Sequence, residues 1–554
     1  MTNHQENDAG SENSVVKPSR LADRKKTPPW YVWAYWLAAA GYIASLYVRD
    51  AGMDTGFNNV ATYIALGTSV GILWSWLGFF SGYSTRFRRR MIMVPVLGVL
   101  AFLACSRIMR TSGTVVPEFA WRWSRNPDQL LPKAVAEEGL DLVDMVTTTE
   151  DDFPQFLGPN RSAGIVGVEL SRDWTAHPPR QVWRQPIGAG WSAFACVNQF
   201  AVTMEQRGKQ ELVTCLEVGT GKLRWSHAVE ARHATIPGFV GPRATPTING
   251  GMVFALGATG IFRCLDGQDG TRVWQRNLLA DQGLDEISDA AGVSWGRSGS
   301  PLVIHEKVIV PVGGAELGPW VALAAFHRET GEMIWEGGDY QAAYASPMLY
   351  EFNGVPQILS VNENYLSSHD VETGEVLWDH DWPGVSSMDA NVSQPIALSG
   401  NRVLLTKGYG VGAELIQLVQ EDDLWTVETL AANNRVMKTK FTNLVLKDGY
   451  AYGLDDGFLS CMKVASLQRQ WKRGRYGQGQ ILMVGDVILI LAEDGRLAMV
   501  EANPEQYVPL GEIQALEGQT WNNLCLTGRM LLVRNAEEAA CYELPVSISA
   551  SHDG

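Results

Sequence analysis

An eleven-residue unit recurs down the second half of the chain, and every copy ends in tryptophan. Trp225 closes Cys215-Leu-Glu-Val-Gly-Thr-Gly-Lys-Leu-Arg-Trp, and Trp274 closes Cys264-Leu-Asp-Gly-Gln-Asp-Gly-Thr-Arg-Val-Trp. Trp335 and Trp378 end two more copies with Thr-Gly turns, and weaker ones end at Trp425 and Trp471. Counting from Trp183, the spacings are 42, 49, 61, 43, 47 and 46 residues. Each unit reads as a short strand, a glycine turn and a second strand. A strand-built period of this length specifies a β-propeller or a solenoid.

Composition agrees with an all-β domain. The 554 residues include 56 Gly and 20 Trp, and only 19% are charged. The net charge of −15 is uneven: residues 1–110 hold 12 Lys and Arg against 6 Asp and Glu. The remainder is therefore strongly acidic and repels a phosphate backbone, so no nucleic-acid partner is expected.

Three apolar segments precede the repeats. Residues 30–48 and 60–80 carry no charge and reach the ~20 residues that span a bilayer. Residues 91–109 are interrupted by Pro95 and Arg107. Trp30, Trp33, Tyr35, Tyr47, Trp76 and Tyr83 suit the interfacial belts. Basic residues cluster at Lys17–Lys26 and at Arg86–Arg90, whereas the loop between the first two segments holds Asp50 and Asp54 against Arg49. Positive-inside then places the N-terminus in the cytoplasm and everything after residue 110 outside. Reading the third segment as an interfacial or buried helix would instead leave the repeats in the cytoplasm. The expected organisation is a disordered cytoplasmic tail at 1–29, a transmembrane region at 30–110, a connector at 111–150, a propeller at 151–546 and a tail at 547–554.

Four strands per repeat place inner strands near residues 190, 243, 298, 344, 391, 440, 478 and 520, which makes eight blades. Blade seven has Leu510 where Trp is expected, and blade eight stops after its third strand at Ala539–Leu544. The surplus strand, Arg180–Arg184 with Trp183, lies in front of blade one. Joining the two ends completes the last blade and leaves no open sheet edge.

The Trp-terminated unit with its Thr-Gly turn resembles the pyrroloquinoline-quinone (PQQ)-type repeat over residues 150–546. Eight-bladed propellers of that family include the quinoprotein dehydrogenases and the BamB-like propeller of outer-membrane protein assembly. Asp152-Phe-Pro-Gln-Phe-Leu-Gly-Pro-Asn-Arg161 and Arg534-Asn-Ala-Glu-Glu-Ala-Ala-Cys-Tyr542 look like a membrane-anchored bacterial branch of it. The resemblance implies the fold and leaves the activity open, because one propeller hosts many.

The repeat tryptophans Trp183, Trp225, Trp274, Trp335, Trp378, Trp425 and Trp471 are expected to fill the gaps between blades. Cys215, Cys264, Cys461 and Cys541 share one repeat position and read as small core residues, although a Cys215–Cys264 bridge stays open. No C-x-x-C occurs, so there is no zinc or haem-attachment signature.

Long loops at 226–242, 276–297, 381–390 and 430–439 lead from outer to inner strands, around one mouth of the axis. They deliver Arg243, Trp295, Arg297, Asp389, Asn391, Lys438 and Lys440 there, and Tyr344, Tyr476, Gln480, Trp521 and Asn522 join from other blades. Such a mixture suits an acidic peptide or a small anion, or else caps the channel structurally. In the quinoproteins the family pattern is a Ca²⁺ held by Glu, Asn and Asp, with aromatic stacking and often an adjacent Cys pair. Asp389 and Asn391 supply oxygens of that kind, but no two Cys are adjacent. No cofactor is therefore expected, with PQQ and Ca²⁺ as the alternative. The expected function is a non-catalytic docking platform for envelope or membrane proteins, anchored in the bacterial inner membrane with a periplasmic propeller. The alternatives are a membrane-bound quinoprotein oxidoreductase and a small-ligand sensor.

Overall fold

A computed structural model of the protein describes residues 26–48, 55–136, 142–235, 238–384, 390–422 and 424–546. The chain forms two compact units, residues 1–51 with 57–107 and residues 52–56 with 108–554. The expected tails at 1–25 and 547–554 lie outside the described residues.

The first unit contains helices Trp30–Val48, Thr55–Ser75 and Thr85–Cys105. The second runs on as a π-turn, Trp76–Phe80, in which Ser81 N–H donates to Trp76 O at 3.0 Å. Ser84 caps the third helix by accepting from Phe87 N–H at 3.3 Å. Val32, Trp76 and Leu77 are packed inside this unit, whereas Leu37, Phe79 and Leu97 stay exposed. Three spans were expected, but among the described residues one helix, Thr55–Phe80, is long and apolar enough to cross a membrane. It has 26 residues, with a mean hydropathy of 1.4 over an 18-residue stretch of it. The first helix is diluted by Trp and Tyr, and the third carries four Arg in its first two turns. The third helix also stops at Cys105, and Ser106–Thr111 is a strand where helix was expected to 109.

The second unit is an eight-bladed propeller. Six blades are sheets of four consecutive antiparallel strands, from Ala195–Glu230 in blade one to Val445–Arg475 in blade six. Blade seven, Gln480–Gln514, gains a fifth strand from Gly164–Ile165, which lies parallel to its inner strand. Blade eight joins Cys525–Thr527, Met530–Arg534 and Glu538–Glu543 to Arg180–Pro186, with Cys541 opposite Trp183. The ring therefore closes as the repeat count requires. Inner strands start two to five residues later than expected, at 195, 247, 302, 348, 396, 445, 480 and 525. Apart from Gln480, which opens its strand, the residues assigned to the mouth thus precede the strands they were thought to open.

The repeat unit works between blades. Each turn glycine adopts a positive φ and leaves room for the preceding blade's tryptophan. Gly331, at φ +72°, lies so close to Trp274 that a Cβ would sit 2.7 Å from the indole. Trp274 Nε1 then donates to Arg328 O of the same turn at 2.8 Å. Trp225 does the same to Gly267 O at 2.9 Å, and Trp183 to Val218 O at 2.7 Å. Across the sheet, Trp225, Trp274, Trp471 and Trp183 face Cys215, Cys264, Cys461 and Cys541, small side chains that leave space for the indole. Gly331→Ala should therefore cost about 1–3 kcal/mol, from φ strain and from the displaced ring. A lower urea midpoint at unchanged slope is the check, and an unaltered midpoint would remove the turn glycine from this role.

Candidate functional site

The mouth is built on aromatic rings. Trp521 lies 4.8 Å from Trp191, 4.8 Å from Phe441 and 5.8 Å from Phe239 between ring centroids. Trp295 extends the belt, 6.1 Å from Phe441 and 5.8 Å from Tyr344. Trp191, Trp295, Tyr344, Phe441 and Trp521 line an axial cavity of about 110 Å³, together with Arg243, Gln394, Asn443 and Gln480. Among the described residues no Asp or Glu lines it.

Arg243 is the charged group of this cavity. Its guanidinium donates to Gly241 O at 3.2 Å, and among the described residues no carboxylate pairs with it. Burial pulls its pKa down to about 9, with Tyr344 opposing, so it remains cationic at neutral pH. Nearby His233 is pushed down to about 3, first by burial and then by Arg243. Burial raises the Tyr344 hydroxyl, which accepts from Trp295 N–H at 3.3 Å. Gln480 donates to Phe441 O and Trp521 O at 2.9 and 3.0 Å, which fixes its amide. Its Oε1 and that of Gln394 are buried without a hydrogen-bond partner. A guanidinium that no described carboxylate pairs with, two amide acceptors and flat apolar walls converge on one space. Such a space favours a small anionic or acidic group carried on an apolar body.

Sequence reasoning placed twelve residues here, and the structure sorts them. Arg243, Trp295, Tyr344, Gln480 and Trp521 line the cavity. Asn522 holds Gly190 O and Ser192 O at 3.3 and 2.8 Å, beside Trp191. Arg297 is instead buried against Asp289 at 2.6 Å, below the helix Glu286–Gly292 that fills its long loop. Asn391 is structural as well: its amide donates to Asn362 O, Glu363 O and Trp382 O at 2.9–3.0 Å. Lys438 is buried, its backbone N–H 3.4 Å from Asp455. Tyr476 bonds Tyr507 at 2.7 Å and lines a different cavity, of about 690 Å³. Asp389 lies outside the described residues.

The sequence reading missed a hairpin that reaches this mouth. Ser106–Thr111 pairs with Pro117–Trp121, and its tip meets the blades. Gly113 N–H donates to Glu493 Oε1 at 2.6 Å, and Lys440 Nζ donates to Gly113 O at 3.0 Å. The same Glu493 oxygen accepts from Trp521 Nε1 at 3.1 Å, so one carboxylate joins the hairpin tip to the aromatic belt. The insertion is tight, since a Cβ on Gly113 would lie 2.3 Å from Gln478 Cγ. Thr111-Ser-Gly-Thr114 carries turn chemistry that could have marked the hairpin, but nothing local says where it docks.

A family model described as outer membrane protein assembly factor BamB matches residues 176–348. Residues 176–348 thus resemble that family, and the domain is an eight-bladed propeller. Among solved structures, the quinohemoprotein alcohol dehydrogenase of Comamonas testosteroni superposes with a TM-score of 0.52 at 12% identity, covering 73% of this chain and 82% of that one. The quinohemoprotein alcohol dehydrogenase ADHIIG of Pseudomonas putida HK5 gives 0.50, again at 12% identity with 73% and 82% covered. BamB of Moraxella catarrhalis gives 0.46 at 13% identity, covering 66% of this chain and all of that one. Likeness at such identity extends to the fold alone. No curated protein matches the chain in sequence.

The described residues of this propeller do not suit a quinone–calcium pair. A hard cation needs several converging oxygens, charged ones among them. The described lining of the cavity is a cation, amides, hydroxyls and apolar groups, and Asn391, whose NH2 donates to three backbone carbonyls, is not part of it. Among the described residues no group of three or more His, Cys, Asp or Glu is placed to hold a metal ion.

Proposed function

We propose that the propeller is a non-catalytic docking platform, and that the axial mouth takes an acidic, partly apolar segment of an envelope or membrane protein. The supporting observation is Arg243, a cation that no carboxylate among the described residues pairs with, inside an aromatic-walled cavity. Burying an isolated charge is costly, so a partner carboxylate that reaches it gains a strong charge-assisted bond. Trp521, Trp191 and Phe441 would hold the apolar part, as aromatic anchors do at protein interfaces. Arg243→Ala or Trp521→Ala should each weaken a crosslinked partner by about 2 kcal/mol, roughly 30-fold in Kd, while melting stays unchanged. Arg297→Ala should act on stability instead, because it strands Asp289. Quinone- and Ca²⁺-dependent dye reduction by the purified protein would overturn this reading in favour of an oxidoreductase.

The helical unit is proposed to anchor the platform in a bacterial inner membrane, with the propeller outside the cytoplasm. Thr55–Phe80 has the character of a crossing helix, and all three helices expose large apolar side chains, Leu37, Ile64 and Leu97 among them. The basic clusters at Lys17–Lys26 and Arg86–Arg90 favour the cytoplasmic side. A reporter active only outside the cytoplasm, fused after residue 130, should therefore be active. Activity of a cytoplasm-only reporter at that site would reverse the topology.

A further inference from the structure

Six cysteines lie in the propeller, and two of them stand apart from the repeat. Cys215, Cys264, Cys461 and Cys541 occupy third strands opposite tryptophans. Cys196 and Cys525 lie on inner strands instead, Ala195–Val197 of blade one and Cys525–Thr527 of blade eight. The inner strands of the other six blades carry no cysteine. The two thiols are thus confined to the seam where the N-terminal and C-terminal parts of the ring meet. Their Sγ atoms are 3.2 Å apart, although 329 positions separate them in sequence.

We infer that Cys196 and Cys525 are a disulfide-forming pair that locks the propeller ring between its first and last blades. The outer radius of this seam is already closed by strand pairing, through Arg180–Pro186 on Glu538–Glu543. Between the two, Arg534 of blade eight donates to Gly188 O, Thr203 Oγ1 and Met204 O of the N-terminal side, each at 2.8 Å. The cysteines provide the one covalent closure available at the inner radius. Closing so long a loop restricts the unfolded chain strongly, and it also blocks opening by loss of the outer strand.

The chemistry requires a disulfide oxidant, either oxidised glutathione or a thiol–disulfide oxidoreductase. One cysteine thiolate attacks the oxidant's disulfide and releases one thiol. The second cysteine then attacks the mixed disulfide, forms the Cys196–Cys525 bond and releases the second thiol. Two electrons pass to the oxidant, and the two protons leave with its thiols. Both side chains are fully buried in the closed ring, and Phe153 covers Cys196 by a backbone pair at 2.9 and 2.7 Å. Burial also holds the Cys196 thiol well above its usual pKa. Exchange therefore belongs to folding, before the segment around Phe153 seals the seam.

The test alkylates full-length protein from native membranes in denaturant, with and without prior reduction. All but two of the seven cysteines should react without reductant, and all seven after it. Peptide mapping should show Cys196 linked to Cys525, and Cys525→Ala should abolish the difference. In a second arm, reduced protein is held in glutathione redox buffer with urea below its unfolding midpoint. A link that forms there but not in cells supports the pair and counts against the extracytoplasmic placement. No link in either arm, or a link through Cys215 or Cys541, overturns the inference. Reduction should lower the apparent melting temperature of the linked protein by several degrees and leave Cys525→Ala unmoved. An unshifted melt would overturn the locking role.

Discussion

Deleting residues 151–186 should leave a chain that aggregates and shows no cooperative unfolding. The segment supplies the fourth strand of blade eight, and with it Trp183, whose indole crosses to Val218 O of blade one at 2.7 Å. Its loss exposes the long edge of Glu538–Glu543, a template for pairing with other chains. The same segment adds Gly164–Ile165 to blade seven and buries Arg161, which donates to Pro301 O and Ser300 O at 3.0 and 3.1 Å. Three parts of the ring are therefore tied by one stretch. Domain stabilities of about 5–15 kcal/mol do not survive the loss of a strand, a part-buried Trp and a buried Arg together. Light scattering and far-ultraviolet circular dichroism on the truncated and full chains are the measurements. A truncated protein that stays monomeric and melts at the same temperature would refute closure by the N-terminal strand.

Glu211→Ala should destabilise the propeller by about 3–5 kcal/mol, the cost of leaving a buried charge without its partner. Glu211 in blade one and Arg263 in blade two are both fully buried and 2.6 Å apart. Burial raises the Glu211 pKa and lowers that of Arg263, and each partner opposes the other's shift. Glu211 also accepts from Ala258 N–H at 3.1 Å, so the carboxylate anchors a loop as well as a cation. Removing it strands Arg263, whose Nε and Nη1 already lack partners. Glu211→Leu combined with Arg263→Met should recover much of the loss, because it removes both charges and retains volume. Urea unfolding of the two variants separates these outcomes. A single variant as stable as the parent would show that water reaches Arg263.

Legibility followed the range of the interactions concerned. Trp225, Trp274 and the glycine turns repeat, so their pattern is local and needs no knowledge of neighbours. The shared position of four cysteines was legible for the same reason. Arg297 and Asn391 were assigned to the mouth because of where they fall in the repeat, yet one pairs with Asp289 and the other with three carbonyls. Their loops make those partners, and loop conformation has no period to read. The third apolar segment was read as helix to residue 109 on composition, whereas Ser106–Thr111 pairs with Pro117–Trp121.

The sequence by itself determined the blade count, the closure of the ring and the structural role of its tryptophans. Those follow from a period of strands and turns, and from one surplus strand at the front matching one missing at the back. Tertiary structure alone decided which side chains share a space. It set Arg243 among aromatic rings, bound Gly113 to Glu493 and Lys440, and brought Cys196 to Cys525 across 329 positions. Each of these contacts joins segments far apart in the chain, which no local preference encodes. They exist because ring closure brings the two ends, and the strands around the axis, into one packed interior.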